Sequence, residues 1–260
     1  MTIVLNEARQ AEQIIREGEI GNKPASTLFL LGKYYRLKEN LDQEQTFCKL
    51  HEFMQMHYKN YNPALWEEIL DDISKKAGRY PLREINFIGI AQSELDKISE
   101  IPNLKYQKLL FSMLCYAKLY NLISEKNNGW VNASVQEIFR TSRVTVKYKK
   151  DKFLYMNDLE KAGFLSFSSK NDNLNIQINF VDMDGESVLR IDDFRELGYE
   201  YMNFIGNGKY RKCPECQRLI RKTGNKSLYC TECRQKKQKE WQRNSMQKIR
   251  KQSGEVLEKS

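Results

Sequence analysis

Apolar residues in the first hundred positions recur at intervals of three and four, which is the spacing of one face of an α-helix. The pattern predicts four helices, and two of them carry clear start signals. Asp42 and Gln45 form a capping box, and Asn62 stands before a proline at the first helical position. The four helices begin near Asn6, Pro24, Asp42 and Asn62. No catalytic or ligand-binding motif is recognisable here, so we expect residues 1–100 to form a helical N-terminal domain.

The pattern between residues 102 and 182 changes from helix to strand. Apolar spacing predicts helices over residues 104–120, 134–139 and 148–162, and Gly163 is placed to end the third helix in the left-handed conformation. Residues 164–168 and 174–180 then predict two strands, the second with strict alternation of apolar and polar positions. Three helices followed by a hairpin is the order of a winged helix-turn-helix, which we expect over residues 101–205. A further strand over 186–191 and a helix over 192–201 complete it.

The third helix and the hairpin tip carry candidate contacts to nucleic acid. A recognition helix places side chains in the major groove, and the hairpin can touch flanking phosphates. The candidates are Thr145, Lys147, Lys149, Lys150, Lys152, Lys170 and Asn171. Winged helices also serve as protein-binding modules, and a lysine run on a helix is often only a solvated face, so both alternatives stay open.

Two Cys-x-x-Cys knuckles stand near the end of the chain, separated by thirteen residues. Their cysteines are Cys213, Cys216, Cys230 and Cys233. Four thiolates at this spacing are typical ligands of one tetrahedral Zn²⁺, so we expect a zinc ribbon over residues 209–234. Its hairpin is expected between the knuckles, from residues 218–222 and 227–229, and the metal would fold it because apolar residues are few. Two disulfides or a redox Cys-x-x-Cys are the alternatives.

The remaining cysteines, Cys48 and Cys115, lie in apolar helical patterns, and we expect both to be buried in the core. The N-terminus lacks a basic segment followed by an apolar stretch, and no apolar run reaches the roughly 20 residues of a membrane span. We therefore expect a cytoplasmic protein without a membrane partner.

Charge is distributed unevenly along the 260 residues. The formal net charge is +9, but the segment from Lys209 to Ser260 holds sixteen Lys and Arg against five Glu, so the preceding part is near neutral. A neutral body with a basic tail is typical of a polyanion binder. We expect a basic helical tail over residues 235–260. Candidate phosphate contacts are Arg234, Lys236, Lys237, Lys239, Arg243, Lys248, Arg250 and Lys251. The alternative is a tail that only aids solubility.

Enzymatic motifs are lacking. The acidic residues Asp182, Asp184, Glu186, Asp192 and Asp193 could suggest a two-metal nuclease, but no His or Lys accompanies them in a recognisable pattern. The segment 206–209 is glycine-rich but does not match a P-loop. We therefore expect no enzyme, with a nuclease or primase as the enzymatic alternative.

The joined pattern Lys212-Cys213-Pro-Glu-Cys216 and Tyr229-Cys230-Thr-Glu-Cys233-Arg234, continued by a basic helix, resembles uncharacterised proteins of prophages and mobile elements in low-GC bacteria. The stretch Leu189–Tyr201 is similar to them as well. The resemblance implies a DNA transaction in the cytoplasm of a bacterial host, in replication or in transcription control.

The combined expectation is a mainly α (α+β) protein that binds Zn²⁺ and nucleic acid, with duplex DNA as the expected partner. The alternative is a protein-binding adaptor or inhibitor that acts on a host or defence nucleic-acid machine. In that case the winged helix would be a platform for a host or phage protein. The oligomeric state does not follow from the sequence.

Overall fold

The computed structural model describes residues 4–168, 175–224 and 228–257, with the backbone alone from residue 248 onward. More than half of the chain is helical and the sheets are small and antiparallel, so the expected mainly α class is confirmed. The chain divides into two compact units, Ile3–Phe87 and Ile88–Ser260. No helix in the described ranges is long and apolar enough to cross a membrane.

The first unit consists of four helices, and the two helix starts predicted from capping residues are present. Asp42 and Gln45 make the capping box, and the Asn62 side chain accepts a hydrogen bond from the amide of Ala64. The helices are α1 (Glu7–Glu17), α2 (Pro24–Leu37), α3 (Gln43–His57) and α4 (Pro63–Ala77). Their core includes Leu28, Leu31, Leu50, Met54 and Leu70. The expectation for Cys48 was wrong, because its side chain is exposed on α3, whereas Cys115 is buried in the other unit.

The second unit is built around one helix that is covered on every side. Its elements are β1 (Ile88–Ala91), α5 (Gln92–Ser99), α6 (Leu104–Ile123), a 3₁₀ turn (Glu125–Asn127), β2 (Trp130–Val131), α7 (Val135–Thr141), α8 (Asp151–Lys161), β3 (Leu165–Phe167), β4 (Ile176–Ile178), β5 (Ser187–Ile191), α9 (Leu197–Phe204), β6 (Tyr210–Lys212), β7 (Leu219–Arg221) and α10 (Thr231–Leu257). Every residue from Leu109 to Leu119 of α6 is buried. The ring of Phe111 packs on Tyr201 of α9, and Tyr116 packs on Phe194.

A three-stranded antiparallel sheet has the order β2-β4-β3. Leu165 of β3 lies opposite Ile178, and on the other edge of β4 Val131 of β2 lies opposite Ile176. Strand β2 was not predicted, because two residues are too few to show a periodicity. Gly163 ends α8 with φ 80°, as expected. The elements therefore follow one another as helix, strand, helix, helix, strand and strand from α6 to β4.

Strand β1 pairs antiparallel with β5, Ile88 opposite Ile191. This pairing places residues 88–100 in the second unit, whereas the sequence grouped them with the N-terminal domain. The predicted strand over 186–191 is present as β5. Helix α5 begins at Gln92, directly after β1.

A buried ion pair joins three elements of this unit. The Glu94 carboxylate accepts hydrogen bonds from Lys118 Nζ at 2.7 Å and from the backbone amides of Ala91 and Asp182, both at 2.8 Å. Lys118 also donates to the Asp182 carbonyl at 2.6 Å. The two side chains are 0% and 6% exposed. A buried pair with this many hydrogen bonds is strongly destabilised when one partner is lost.

Replacing Glu94 with Ala should lower the free energy of unfolding by about 3–5 kcal/mol, because Lys118 would remain as an uncompensated buried charge. Replacing Glu94 with Leu together with Lys118 with Met should recover most of that loss. Urea unfolding followed by circular dichroism measures both effects. The control is Glu100→Ala, which removes a partner of Lys97 at an exposed pair and should have a far smaller effect. Equal losses for Glu94→Ala and Glu100→Ala would contradict the expected role.

Candidate functional site

The four cysteines of the two knuckles converge on one point. Their Sγ atoms all lie within 4.8 Å of one another, and those of Cys216 and Cys230 are 3.7 Å apart. Zn–S bonds of about 2.3 Å in a tetrahedron require sulfurs about 3.8 Å apart. Cys213 and Cys230 are buried and the other two are half-buried. The cluster could hold a metal ion, and within the described ranges no other group of three ligating side chains comes together in this way.

The first knuckle is the turn of the β6–β7 hairpin. Lys212 lies opposite Leu219, and the amide of Cys213 donates to the carbonyl of Arg218 at 2.9 Å. Gln217 takes a left-handed φ of 58°, which a tight turn commonly gives to glycine. The prediction of a hairpin between the two knuckles was wrong. The strand expected to open it, β7, pairs antiparallel with β6, which precedes the first knuckle, and Tyr229 belongs to no strand.

The second knuckle opens helix α10. The amide of Cys233 donates to Cys230 Sγ at 3.4 Å, and the amide of Arg234 donates to the Cys230 carbonyl at 2.9 Å. Cys230 therefore takes the position of a helix N-cap, with sulfur as the acceptor. Its own amide donates to Cys213 Sγ at 3.4 Å.

In the metal-free protein the thiols of the two knuckles differ in their pKa values. Burial raises the pKa of Cys213, but hydrogen bonds from the amides of Cys216, Cys230 and Glu215 outweigh it and lower the pKa to about 6. Burial raises the pKa of Cys216 and Cys233, and the sulfurs around Cys233 raise its pKa further. Metal binding must therefore displace protons from at least two of the four cysteines.

The β6–β7 hairpin, the two knuckles and the start of α10 together form a metal module. The carboxylate of Glu196 connects this module to the rest of the unit. It precedes α9, is 3% exposed and accepts two hydrogen bonds from the guanidinium of Arg143, which lies between α7 and α8. Arg218 Nε of the module is 3.9 Å away. Arg218 also binds Glu232 of α10 through two contacts of 3.0 and 3.1 Å. The module is thus docked on the helix–helix connection by alternating charges.

Two further contacts support the docking. Arg195 Nη2 donates to the Cys216 carbonyl at 2.7 Å, and the rings of Tyr199 and Tyr210 are 5.3 Å apart.

Sequence reasoning did not identify Glu196, Arg143 or Arg195 as part of the site. Their partners lie 21 to 53 residues away in the chain, and no local pattern signals such pairs.

The lysines expected on the third helix mostly precede it. Helix α8 begins at Asp151, so of the candidates only Lys152 is helical, with its Nζ 5.2 Å from the centre of the Phe139 ring. The others lie in the approach to the helix, and they are Thr145, Lys147, Lys149 and Lys150, all exposed. The ammonium groups of Lys147 and Lys150 lie 5.2 and 5.9 Å from the ring centre of Tyr148. Lys170 and Asn171 lie outside the described residues.

The predicted tail is part of one continuous helix with the second knuckle. Arg234, Lys239 and Arg243 are exposed on α10. Lys237 is engaged within the module, since it binds Glu215 at 2.7 Å and lies 5.1 Å from the Tyr229 ring centre. Lys236 is exposed on the same helix, and the backbone of Lys248, Arg250 and Lys251 continues it.

Three of the five acidic residues that suggested a nuclease have structural partners. Asp182 accepts hydrogen bonds from the Ser93 hydroxyl at 2.8 Å and from the amide of Gly185 at 2.7 Å. Asp193 binds Arg195 at 2.7 Å, and Asp192 lies 3.8 Å from Lys212. These carboxylates hold a turn and stabilise the surroundings of the metal module.

Comparison with known proteins found no matching family model, no matching curated protein and no matching solved structure. The likeness to prophage proteins therefore stays a prediction. The function has to be argued from the chemistry of the site.

Replacing Cys233 with Ser should abolish binding of the metal and unfold residues 209–234, while the α6 core stays folded because its packing does not use the module. Elemental analysis should find one metal per wild-type chain and much less in the variant. The matched control is Cys48→Ser, which changes an exposed cysteine of the first unit and should keep the metal. Less than half a metal per wild-type chain, after purification in zinc-containing buffer, would reject the site.

Metal binding at pH 7.5 should release at least two protons, because Cys216 and Cys233 have raised pKa values. Below pH 6 the thiol of Cys213, with a pKa of about 6, adds a third. The logarithm of the affinity should therefore rise with pH with a slope of at least two near pH 7.5 and at least three well below pH 6, where Cys213 is also protonated. Competition with a chromophoric chelator measures the slope, and a value below one at pH 7.5 would refute this assignment.

Proposed function

We propose that the protein binds nucleic acid, with duplex DNA as its target, through a winged helix-turn-helix and a zinc module that carries a basic helix. The observation that carries the proposal is the docking of the cysteine module and α10 on the α7–α8 connection through Glu196. This contact joins the two parts that most resemble nucleic-acid readers.

Zinc suits the donor set best. Four cysteine sulfurs with tetrahedral spacing form a closed, soft site that leaves no open position for a substrate, which is typical of structural zinc. Iron–sulfur chemistry also uses four cysteines, so the metal's identity needs measurement. The role of the metal here is to hold the first knuckle against the start of α10.

The winged-helix assignment is supported by topology. The order α6, β2, α7, α8, β3, β4 with sheet order β2-β4-β3 is that of three helices with a three-stranded wing. In such domains the N-terminal residues of the second helix of the pair contact base edges. The exposed residues Thr145, Lys147, Lys149 and Lys150 stand at the corresponding end of α8.

Helix α10 is long enough to extend from the module along a nucleic acid. Twenty-seven residues of α10 extend about 40 Å at 1.5 Å per residue, which is about one turn of duplex DNA. The exposed cations Arg234, Lys239 and Arg243 supply phosphate contacts without base specificity. Such a protein acts by binding, in replication or transcription control of a phage or mobile element in the bacterial cytoplasm.

A second function is favoured by one observation. Phe153 and Leu154 of α8 are 45% and 57% exposed, and the same helix carries the acidic residues Asp158 and Glu160 toward its end. An exposed apolar pair suits a protein partner better than a phosphate backbone. In this alternative α8 is the docking platform of an adaptor or of an inhibitor of a host nucleic-acid machine.

Fluorescence anisotropy with labelled duplex DNA, single-stranded DNA and structured RNA tests the proposal. The metal-loaded protein should bind the duplex most tightly, and metal removal should weaken binding because α10 loses its fixed start. Replacing Lys147, Lys149 and Lys150 with Ala should reduce duplex affinity and flatten the salt dependence by roughly three units, at about 0.9 per lost phosphate contact.

Phe153→Ser with Leu154→Ser is the matched control for the adaptor alternative. It should leave duplex binding unchanged if α8 reads DNA through its N-terminal end. If the lysine variant binds every duplex as the wild type does, while the Ser variant loses a co-purifying protein, the adaptor function replaces the proposal.

A further inference from the structure

Three basic side chains stand on two elements, α6 and the metal module, that both connect to Arg143 of the α7–α8 connection. Lys105 and Lys108 lie three residues apart on α6, and Arg221 ends strand β7 of the metal module. Lys108 Nζ donates to the Arg143 carbonyl at 3.0 Å. Burial lowers the pKa of Lys108, and the charges of Lys105 and Arg221 lower it further. Lys105 and Lys108 lie about one helical turn apart on α6. The contacts of Tyr210 with Tyr199, and of Tyr199 with Arg143, bring the hairpin that carries Arg221 to the same connection.

No carboxylate of the described ranges pairs with any of these three side chains. The neighbouring Arg143 and Arg218, in contrast, are balanced by Glu196 and Glu232. The first turn of α6 also lacks an acidic residue, so the positive end of the helix adds to the same potential. A cluster of like charges in this setting costs stability unless an anion binds there.

A chain of contacts through Arg143 connects the two sides of the cluster. Arg221 lies opposite Tyr210 in the hairpin, and Tyr210 packs on Tyr199, whose ring centre is 5.7 Å from the guanidinium carbon of Arg143. Lys108 holds the carbonyl of that same arginine. Arg143 therefore contacts both Lys108 on the helix side and Tyr199, which packs on the module.

We propose that Lys105, Lys108 and Arg221 form a phosphate-binding site that holds the backbone of a nucleic acid as it passes from the approach to α8 onto the metal module. The site rests on the proposed nucleic-acid function and extends it, since it makes α6, the α7–α8 connection and the module one continuous binding surface. Lysines act as point charges on phosphate oxygens, and the arginine fork can hold two of them.

The test compares two double variants of the full-length, metal-loaded chain with a fluorescein-labelled 20-base-pair duplex of random sequence. Lys105→Met with Arg221→Met changes the site, and Lys59→Met with Lys126→Met removes two exposed lysines elsewhere. Methionine keeps the aliphatic stem. The site variant should lower the slope of log affinity against log salt by about two units and weaken binding at least tenfold at 100 mM KCl. The control variant should behave as the wild type.

Thermal unfolding and metal content separate a binding role from a structural one. Removing the two charges relieves the repulsion on Lys108, so the melting temperature should stay equal or rise while binding falls, with one metal per chain retained. If the double variant unfolds, Lys105→Met alone, at an exposed position, should still lower the slope by about one unit.

Two results would overturn the site. The first is an equal salt slope for the site and control variants, and the second is a lower melting temperature with unchanged binding. A wild-type protein that binds no nucleic acid at all would instead reject the proposed function, so the two failures are distinguishable.

Discussion

The buried carboxylate of Glu196 is the point on which the arrangement of the second unit depends. It holds Arg143 of the α7–α8 connection and lies 3.9 Å from Arg218 of the metal module. A carboxylate that is 3% exposed is stable only while its cations stay in place. Next to it, a Cβ on Gly198 would lie 1.8 Å from the Ser142 carbonyl, so the backbones meet as closely as glycine permits. The position of α9, the connection and the module are thereby mutually dependent.

The module contributes little packing of its own to this arrangement. Besides the cysteines Cys213 and Cys230, Leu219 is its one buried apolar side chain within the described residues. A segment with so small a core would take its folding free energy from a bound metal ion. Metal binding would then precede the charge contacts of Arg218, because it would form the hairpin that carries this arginine.

The parts of the fold that follow local rules could be predicted from the sequence. The spacing of the four cysteines, the capping box at Asp42 and the glycine that ends α8 each depend on a few neighbouring residues. Parts that depend on distant contacts could not. The bond between Arg143 and Glu196 spans 53 residues, and the hairpin of the first knuckle depends on which strand β7 pairs with. The full burial of α6 needed the covering elements, because a one-sided pattern predicts only the inward face.

Helix α10 begins at the second knuckle, so the position of the cysteines also sets the direction in which every later side chain of the helix points. Each residue advances an α-helix by about 100°. A substitution at Arg234 or Arg243 changes one side chain, whereas one residue inserted between Cys233 and Trp241 would turn the whole distal helix by about 100° relative to the sulfurs. Substitutions in α10 therefore change single side chains, whereas an insertion or deletion near its start changes the direction of every side chain that follows.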